Sequence, residues 1–238
     1  MRRVVEPEWL DDLPAQDPRA VRSRADLRRI NRLMRHPSLL LKTLDAWIGK
    51  RASPHGGLPI RLLELGAGDG SLLLQIAQQR AYDWPVVHLQ LLDLQPVVSQ
   101  ETLDAYRALG WTVEVVQCDV FDWCHQVDTE VRPIVVANLF LHHFEGDRLD
   151  LLLRGIAARA RAFVCLEPKR SRMALIGSHL LGLIGCNDVT RHDAVISVRA
   201  GFTDQELSAC WPTDEKWSLD ETGAGLFSHR LQAVRERS

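Results

Sequence analysis

Five short apolar runs, separated by helical patterns, constrain the fold of this chain more than any other feature. The runs predict β-strands at 60–65, 86–92, 112–117, 134–137 and 162–166. The clearest helical pattern places apolar residues at 3, 4 and 7 spacing from Leu149 to Ala160. Strands that alternate with helices form right-handed crossovers and a mostly parallel sheet, which is buried on both faces.

The two ends of the chain break this alternation. Residues 1–17 are acidic, contain proline and show no sustained period, so we interpret them as a loose arm. From Pro18 we expect a helix with one apolar face and arginines on the others, and from Pro37 a second helix. The apolar face comprises Val21, Leu27, Ile30, Leu33 and Met34. Near the C-terminus, segments 216–221 and 228–235 flank the turn sequence TGAG, which predicts an antiparallel pair at one sheet edge.

These patterns predict one α/β fold with an N-terminal helical cap. We expect a Rossmann-like, doubly wound sheet of seven strands, mostly parallel, with an antiparallel C-terminal edge hairpin. The chain has 238 residues, of which 46% are hydrophobic, and this allows one domain with a large core. We place the arm and cap in residues 1–57, the α/β domain in 58–238, and an insertion within that domain at about 168–202.

Composition excludes several classes of function. The formal net charge is −2, so no overall field favours nucleic acid or an anionic membrane. The five cysteines are odd in number and contain no C-x-x-C pair, which argues against a disulfide framework or a zinc ribbon. No apolar run approaches 18 residues, and the N-terminus does not resemble a signal peptide. We therefore expect a cytoplasmic protein without an integral membrane segment or a metal.

A glycine-rich turn follows the first predicted strand. Glu64 precedes the sequence GAGDG at 66–70, and the apolar stretch SLLLQIA continues from it. Such a turn lets the backbone approach a ligand and directs helix N–H groups toward it. A phosphate-binding P-loop requires lysine after the last glycine, and the NAD pattern G-x-G-x-x-G requires glycine where Ser71 stands. With this one departure, an NAD-dependent oxidoreductase stays open as an alternative.

Polar residues also end the next three predicted strands. Asp93 ends the second strand, Asp119 follows the third and Asn138 follows the fourth. In a doubly wound sheet these strand ends line one edge, where ligands bind. Together with the E-x-G-x-G-x-G turn, the set resembles that of the class I S-adenosylmethionine (SAM) dependent methyltransferases, over roughly residues 18–236.

The resemblance implies that SAM is the cofactor and S-adenosyl-L-homocysteine the product. The glycine-rich turn would then lie against the methionine part of SAM, with Glu64 near its amino group. A cationic amino acid needs acidic neighbours, whereas the pyrophosphate of a dinucleotide would prefer a turn less acidic than one with Glu64 and Asp69.

The other strand ends would hold the rest of the cofactor. By the same resemblance, Asp93 would accept hydrogen bonds from the ribose hydroxyls, and Asp119 would meet the adenine amino group. The full set of candidate cofactor-binding residues is Glu64, Gly66, Ala67, Gly68, Gly70, Asp93, Leu94, Asp119, Val120, Asn138 and Leu139. Val120 would lie beside the adenine ring, and Asn138 and Leu139 would form the floor under the sulfonium.

The sequence after the fourth strand bears on the methyl acceptor. The segment 138–141 reads NLFL and lacks the prolines of the Asn/Asp-Pro-Pro-aromatic turn found in enzymes that methylate amide or base nitrogens. The chain has no Pro-Cys pair, which cytosine C5 enzymes need. The sequence FLHHF at 140–144 is similar to the small-molecule branch related to the ubiquinone and menaquinone biosynthesis methyltransferases. We therefore expect a small aromatic or polyketide-like apolar acceptor, methylated on oxygen or carbon.

Three histidines are candidate general bases for such an acceptor. His142 and His143 follow the fourth strand, and His192 lies in the sequence TRHD after an apolar segment expected to roof the acceptor pocket. A neutral imidazole could accept a phenol proton near neutral pH. We favour His192 or His143 over His142, and a structural role for all three is the alternative.

The arginine-rich helix at 22–35 allows two interpretations. In this family the N-terminal helices often fold over the cofactor as a lid, and an arginine face could also bind RNA. The excess of nine basic over six acidic residues in 1–35 is modest and lacks interleaved aromatic residues. We expect no nucleic-acid partner, and keep an RNA methyltransferase as the alternative.

Overall fold

A seven-stranded sheet forms the centre of the protein, as predicted. The computed structural model describes residues 1–49, 59–125, 131–213 and 216–236. The strands are β1 (Ile60–Leu65), β2 (Val87–Asp93), β3 (Thr112–Gln117), β4 (Ile134–Asn138), β5 (Ala162–Pro168), β6 (Trp217–Ala224) and β7 (Ser228–Arg235). Their order is β3-β2-β1-β4-β5-β7-β6. The pairs among β1–β5 are parallel, and β7 runs antiparallel to both β5 and β6.

Helices cover both faces of this sheet. They are α1 (Trp9–Asp12), α2 (Pro18–Leu33), α3 (His36–Ile48), α4 (Ser71–Arg80), α5 (Gln100–Ala108), α6 (Val120–His125), α7 (Gly146–Arg159), α8 (Arg172–His179), α9 (Asp188–Ala200) and α10 (Glu206–Ala209). Two 3₁₀ turns span Leu141–His143 and Leu180–Ile184. None of the helices in the described ranges is long and apolar enough to cross a membrane. The predicted loop at 52–59 lies outside the described residues except for its last position.

Side-chain caps fix where several helices begin. Asp17 accepts a hydrogen bond from the Arg19 amide ahead of α2, and Asn187 accepts one from the Thr190 amide at the start of α9. Such caps satisfy amides that have no partner within the helix. These caps fix where α2 and α9 begin, and both long helices border the candidate functional site.

The N-terminal arm is packed against the domain, which corrects the prediction of a loose segment. The Val4 amide donates to the Arg199 carbonyl at 3.2 Å, and Arg3 Nε donates to the Ala200 carbonyl at 2.7 Å. Carbonyls in the last turn of a helix have no intrahelical donor, so the arm supplies donors that the end of α9 needs. Glu8 is consequently buried, with 9% of its surface exposed.

Candidate functional site

Two adjoining cavities lie at the carboxyl ends of the parallel strands. The larger, about 420 Å³, is called the crevice, and it is lined among others by Gly66, Gly68, Asp93, Leu94, Asp119, Val120 and Leu139. The smaller, about 130 Å³, is called the recess, and it is lined among others by Glu64, Gly66, Ala67, Gly68, Asp69, Asn138 and Leu139. Of the residues assigned to the cofactor from the sequence, Gly70 alone lies outside both linings. Gly70 instead precedes α4, and its carbonyl accepts a hydrogen bond from the Tyr106 hydroxyl at 2.7 Å.

The recess contains two buried acceptors without a donor. Among the described residues, neither Glu64 Oε2 nor Asn138 Oδ1 has a hydrogen-bond partner. Burial raises the pKa of Glu64 well above its usual range, and the nearby Asp69 and Asp93 carboxylates raise it further. Buried polar atoms are nearly always paired. His36 lies close to Asn138, so the Glu64 oxygen is the acceptor that a donor-bearing ligand could complete.

The glycines of the turn have different surroundings. A Cβ on Gly66 would lie 2.4 Å from Cδ2 of Phe140, whereas a Cβ on Gly68 would meet nothing within 4 Å. Both residues have positive φ, +64° and +53°. Gly66 is therefore needed for packing as well as conformation, while Gly68 borders the open space of the crevice.

Two predicted ligand-facing carboxylates also hold the backbone. Asp93 Oδ2 accepts a hydrogen bond from the Gly68 amide at 2.8 Å, which ties the glycine-rich turn to the end of β2. Asp119 Oδ1 accepts one from the Phe121 amide at 2.8 Å and so fixes the start of α6. A carboxylate has about four lone-pair sites, so each keeps capacity for a ligand at the crevice.

His142 is held between two carboxylates. Its Nδ1 lies 2.8 Å from Glu167 Oε2, and its Nε2 lies 3.2 Å from Glu8 Oε1. Burial opposes charge on the ring, but the hydrogen bonds to Glu167 and Glu8 outweigh it and raise the pKa of His142 to about 9. With both nitrogens occupied in this way, His142 is not available to accept a proton from an acceptor.

Glu167 fixes the whole turn after β4. Its carboxylate accepts hydrogen bonds from the backbone amides of Phe140, Leu141 and His142 at 2.9–3.3 Å. No sequence pattern indicates this residue, because the apolar run that predicts β5 ends just before it. The strand continues through Glu167 to Pro168, and the carboxylate is fully buried.

The other two candidate histidines lie in different cavities. His143 borders the crevice, where its Nδ1 is 3.4 Å from Asp11 Oδ2, and burial together with the neighbouring His142 lowers its pKa to about 4. His192 lines a separate groove, where it stacks on Trp9 at a centroid distance of 3.6 Å. The three candidate bases therefore do not border one cavity, because α9 directs His192 toward the N-terminal arm.

A third cavity, about 220 Å³, adjoins the crevice between α2, α8 and α9 and is called the apolar cavity. Leu27, Ile30, Leu33 and Met34 line it, so most of the predicted apolar face of α2 is real, but Val21 is 53% exposed. The expected roof contributes only in part. Of the apolar residues predicted to form the roof, Ala174 and Leu181 line the cavity, whereas Leu183 is 82% exposed.

Glu8 and Leu139 stand where the cavities meet. Leu139 lines all three and has a φ of +53°, which is unusual for a residue with a side chain and marks a conformation imposed by its surroundings. Glu8 lines both the apolar cavity and the crevice, and its Oε1 accepts a hydrogen bond from Ser197 Oγ. No periodicity in residues 1–17 could have identified Glu8, because only the docking of the arm brings it to the site.

The arginines of α2 are engaged within the chain. Arg28 pairs with Asp69 of the glycine-rich turn, and Arg24 borders both the crevice and the recess. Arg22 donates to the Gly185 carbonyl, and Arg32 donates to Gln75 Oε1. The helix thus covers the strand ends in the manner expected of a lid, and Arg22, Arg28 and Arg32 each contact another part of the chain.

The chain is similar to known proteins in its fold rather than in its sequence. No protein-family model and no curated protein matches the chain. Among solved structures, an O-methyltransferase family protein from Burkholderia thailandensis superposes with a TM-score of 0.59 at 18% identity. The match covers 94% of this chain, which spans 62% of the length of that protein.

Two further structures extend the likeness. The plantazolicin methyltransferase BpumL, solved with a monoazolic desmethylPZN analogue and SAH, has a TM-score of 0.60 at 12% identity, covering 96% of this chain and 93% of its own. The small RNA methyltransferase HEN1 has a TM-score of 0.55 at 14% identity, covering 84% of this chain and 25% of its own. At these identities the likeness concerns the fold, and this chain therefore has the Rossmann-like fold that these methyltransferases share.

Proposed function

We propose that this chain transfers a methyl group from SAM to a small, apolar, aromatic or polyketide-like acceptor. The observation that carries the proposal is the buried carboxyl of Glu64, whose Oε2 has no donor among the described residues and which lines a recess beside a glycine-rich turn. The ammonium group of SAM would supply the missing donor and a compensating positive charge. Asp69 and Asp93 lie near Glu64 and would repel the pyrophosphate of NAD, whereas Arg24 and Arg28, which also line the recess, would attract it, so NADH is tested beside SAM.

Residues of the crevice would hold the rest of the cofactor. Asp93 would accept from the ribose hydroxyls, and Asp119 and Val120 would border the adenine, since all three line the crevice next to the recess. SAM supplies an electrophilic methyl group when bound. The described residues bind and orient it, and α2 shields it from water through the contact between Arg28 and Asp69.

The apolar cavity is the best candidate for the acceptor pocket. It joins the crevice at Leu27 and Leu139, so an acceptor there would approach the cofactor across a short border. Its lining is mainly aliphatic, with a few polar groups such as Ser23 and Ser197, as is typical of small-molecule sites. The structure of BpumL, which has the same fold, contains SAH, and this supports SAM as the cofactor here.

The likeness to HEN1 keeps an RNA acceptor as the competing function to be tested. Label transfer from tritiated SAM should be followed with simple phenolic and polyketide-like acceptors and, in parallel, with bulk RNA at low and high salt. We expect labelling of an apolar acceptor and none of RNA. RNA labelling that falls steeply with salt and is lost in the Arg22→Glu/Arg32→Glu variant, which keeps the contact between Arg28 and Asp69, would overturn the small-molecule proposal, because phosphate contacts release counterions.

A further inference from the structure

We propose that Glu8, His142 and His143 form a binding site for a divalent transition-metal ion at the border between the crevice and the apolar cavity. One ligand atom from each of the three side chains lies within 4.8 Å of the other two. The arm supplies the carboxylate, and the turn after β4 supplies both imidazoles. The spacing of these residues in the sequence does not predict the site, because 134 positions separate Glu8 from His142.

The separation of the donor atoms suits a shared ion. His142 Nε2 and Glu8 Oε1 are 3.2 Å apart. Zinc bonds to imidazole nitrogen and carboxylate oxygen are about 2.0–2.2 Å long, and at angles between 90° and tetrahedral they separate two donor atoms by about 2.9–3.5 Å. Binding would displace the proton that His142 Nε2 and Glu8 Oε1 share, and the ion would then need no backbone movement to bind these two ligands.

Both of these ligands have partners that orient them. His142 Nδ1 lies 2.8 Å from Glu167, whose carboxylate is anchored by three backbone amides, and this directs Nε2 toward Glu8. Ser197 Oγ donates to the same Glu8 oxygen. Metal-binding histidines nearly always donate their second ring N–H to a carboxylate or carbonyl, and the pair of His142 and Glu167 has that arrangement.

The donor types indicate which ions would bind. Two imidazoles and a carboxylate favour zinc and its first-row neighbours over magnesium or calcium, which prefer oxygen ligands alone. Asp11 Oδ2 lies 3.4 Å from His143 Nδ1 and offers a further oxygen nearby. We assign the site to the zinc class, with at least one coordination position left for an exogenous ligand.

The location of the metal site indicates which exogenous ligand could take the open coordination position. Glu8 borders the apolar cavity, so an ion bound to it could take up a hydroxyl oxygen of an acceptor in that cavity and favour its ionised form. In the transfer, the oxygen lone pair forms the bond to the methyl carbon, the electrons of the breaking S–C bond remain on sulfur, and the hydroxyl proton is released to solvent. This role rests on the proposed function, whereas metal binding itself does not.

Metal titration of the chelator-treated full-length protein tests the site. Calorimetry with Zn²⁺ and Mg²⁺ should be combined with the visible absorption of Co²⁺, which reports nitrogen ligation and low coordination number. We expect one Zn²⁺ or Co²⁺ per chain and no Mg²⁺ binding. His143→Ala and Glu8→Gln should each weaken binding at least about tenfold, the loss that even an outer-shell change causes. His88→Ala, which changes an exposed histidine near the start of β2, should have no effect.

Several results would overturn the assignment. These are absence of stoichiometric Zn²⁺ and Co²⁺ binding, preference for Mg²⁺, or unchanged Co²⁺ spectra and affinity in His143→Ala. Thermal unfolding must show that each variant is folded. If Glu8→Gln is not folded, the metal binding of His143→Ala alone decides whether the site exists. SAM affinity measured on the same samples separates the two proposals: SAM binding without metal binding removes only this inference, and metal binding without SAM binding removes the proposed function.

Discussion

Glu64 and Glu167 occupy equivalent places near the carboxyl ends of β1 and β5, and both are almost fully buried, at 2% and 0% exposure. Glu167 accepts three backbone hydrogen bonds and faces the ring of His142, whereas Glu64 Oε2 has no donor among the described residues. Glu167 therefore has its partners within the protein, whereas under the proposed function Glu64 gains its partner from the bound ligand. Burial without a partner costs free energy that binding can recover.

The two carboxylates also differ in pKa. Burial raises the pKa of Glu64, and the neighbouring Asp69 and Asp93 carboxylates raise it further. Burial acts in the same direction on Glu167, but hydrogen bonds from His142 and the backbone outweigh it and lower the pKa of that carboxyl. The two carboxyls lie at equivalent strand ends, but their pKa values are shifted in opposite directions. We therefore expect variants of Glu64 and Glu167 to behave differently.

The largest effect is expected for Glu167→Ala. Removing this carboxylate leaves three backbone amides and the His142 ring without their acceptor, and breaking such a buried pair typically costs about 3–5 kcal/mol. Urea denaturation monitored by circular dichroism should show a loss of this size in the free energy of unfolding. A loss below about 1 kcal/mol would show that Glu167 does not organise the turn after β4.

Glu64→Gln should change the stability of the protein little and should weaken SAM binding instead. The free energy of unfolding should stay within about 1 kcal/mol of the parent or increase, because the substitution removes a buried carboxyl without a partner. SAM affinity should fall about 10–100-fold, which corresponds to the 1.5–3 kcal/mol typical of a hydrogen bond to a charged group. Equal SAM affinity in parent and variant, measured by calorimetry, would refute the role of Glu64.

A smaller contrast is expected within the glycine-rich turn. Gly66→Ala and Gly68→Ala each impose a positive φ on alanine, at a cost of about 1–2 kcal/mol. Gly66→Ala should cost more in thermal stability, because its Cβ would clash with the Phe140 ring while that of Gly68→Ala meets open space. Equal melting temperatures for the two variants would contradict the packing role of Gly66.

The smallest effect is expected for His192→Ala. Its ring lies in a groove apart from the crevice, so kcat at saturating acceptor should stay within about fivefold of the parent, whereas loss of a general base costs about 10²–10⁴-fold. A steady-state assay at pH 7 measures this. A hundredfold loss of kcat with unchanged SAM affinity would show that His192 takes part in catalysis.

The fold was largely predictable because local patterns specify it. Strand β1 and strand β3 have the predicted bounds, and the other three parallel strands differ by one or two residues at their ends. The polar residues at the carboxyl ends of β1, β2 and β4, and Asp119 after β3, could be placed together because parallel strands end at one edge of the sheet.

The acceptor side could not be predicted in the same way. Glu8 reaches the site only through docking of the N-terminal arm on α9, and His192 leaves it because of how α9 is rotated against that arm. Both depend on packing between segments far apart in sequence, which periodicity does not report. Glu167 was missed for a different reason, since a fully partnered carboxylate can continue a buried strand.

The central claim is that the recess around Glu64 binds the cationic end of SAM. The most direct test is calorimetry of the full-length protein with SAM, S-adenosyl-L-homocysteine and NADH, in buffers that differ in ionisation enthalpy and over a range of pH. A bound ammonium group stabilises the ionised form of Glu64, so SAM should bind with release of a proton and more tightly as pH rises toward the raised pKa of this carboxyl. Glu64→Gln should abolish that release. Binding of NADH without binding of SAM, or SAM binding with the same proton release in Glu64→Gln, would contradict the account.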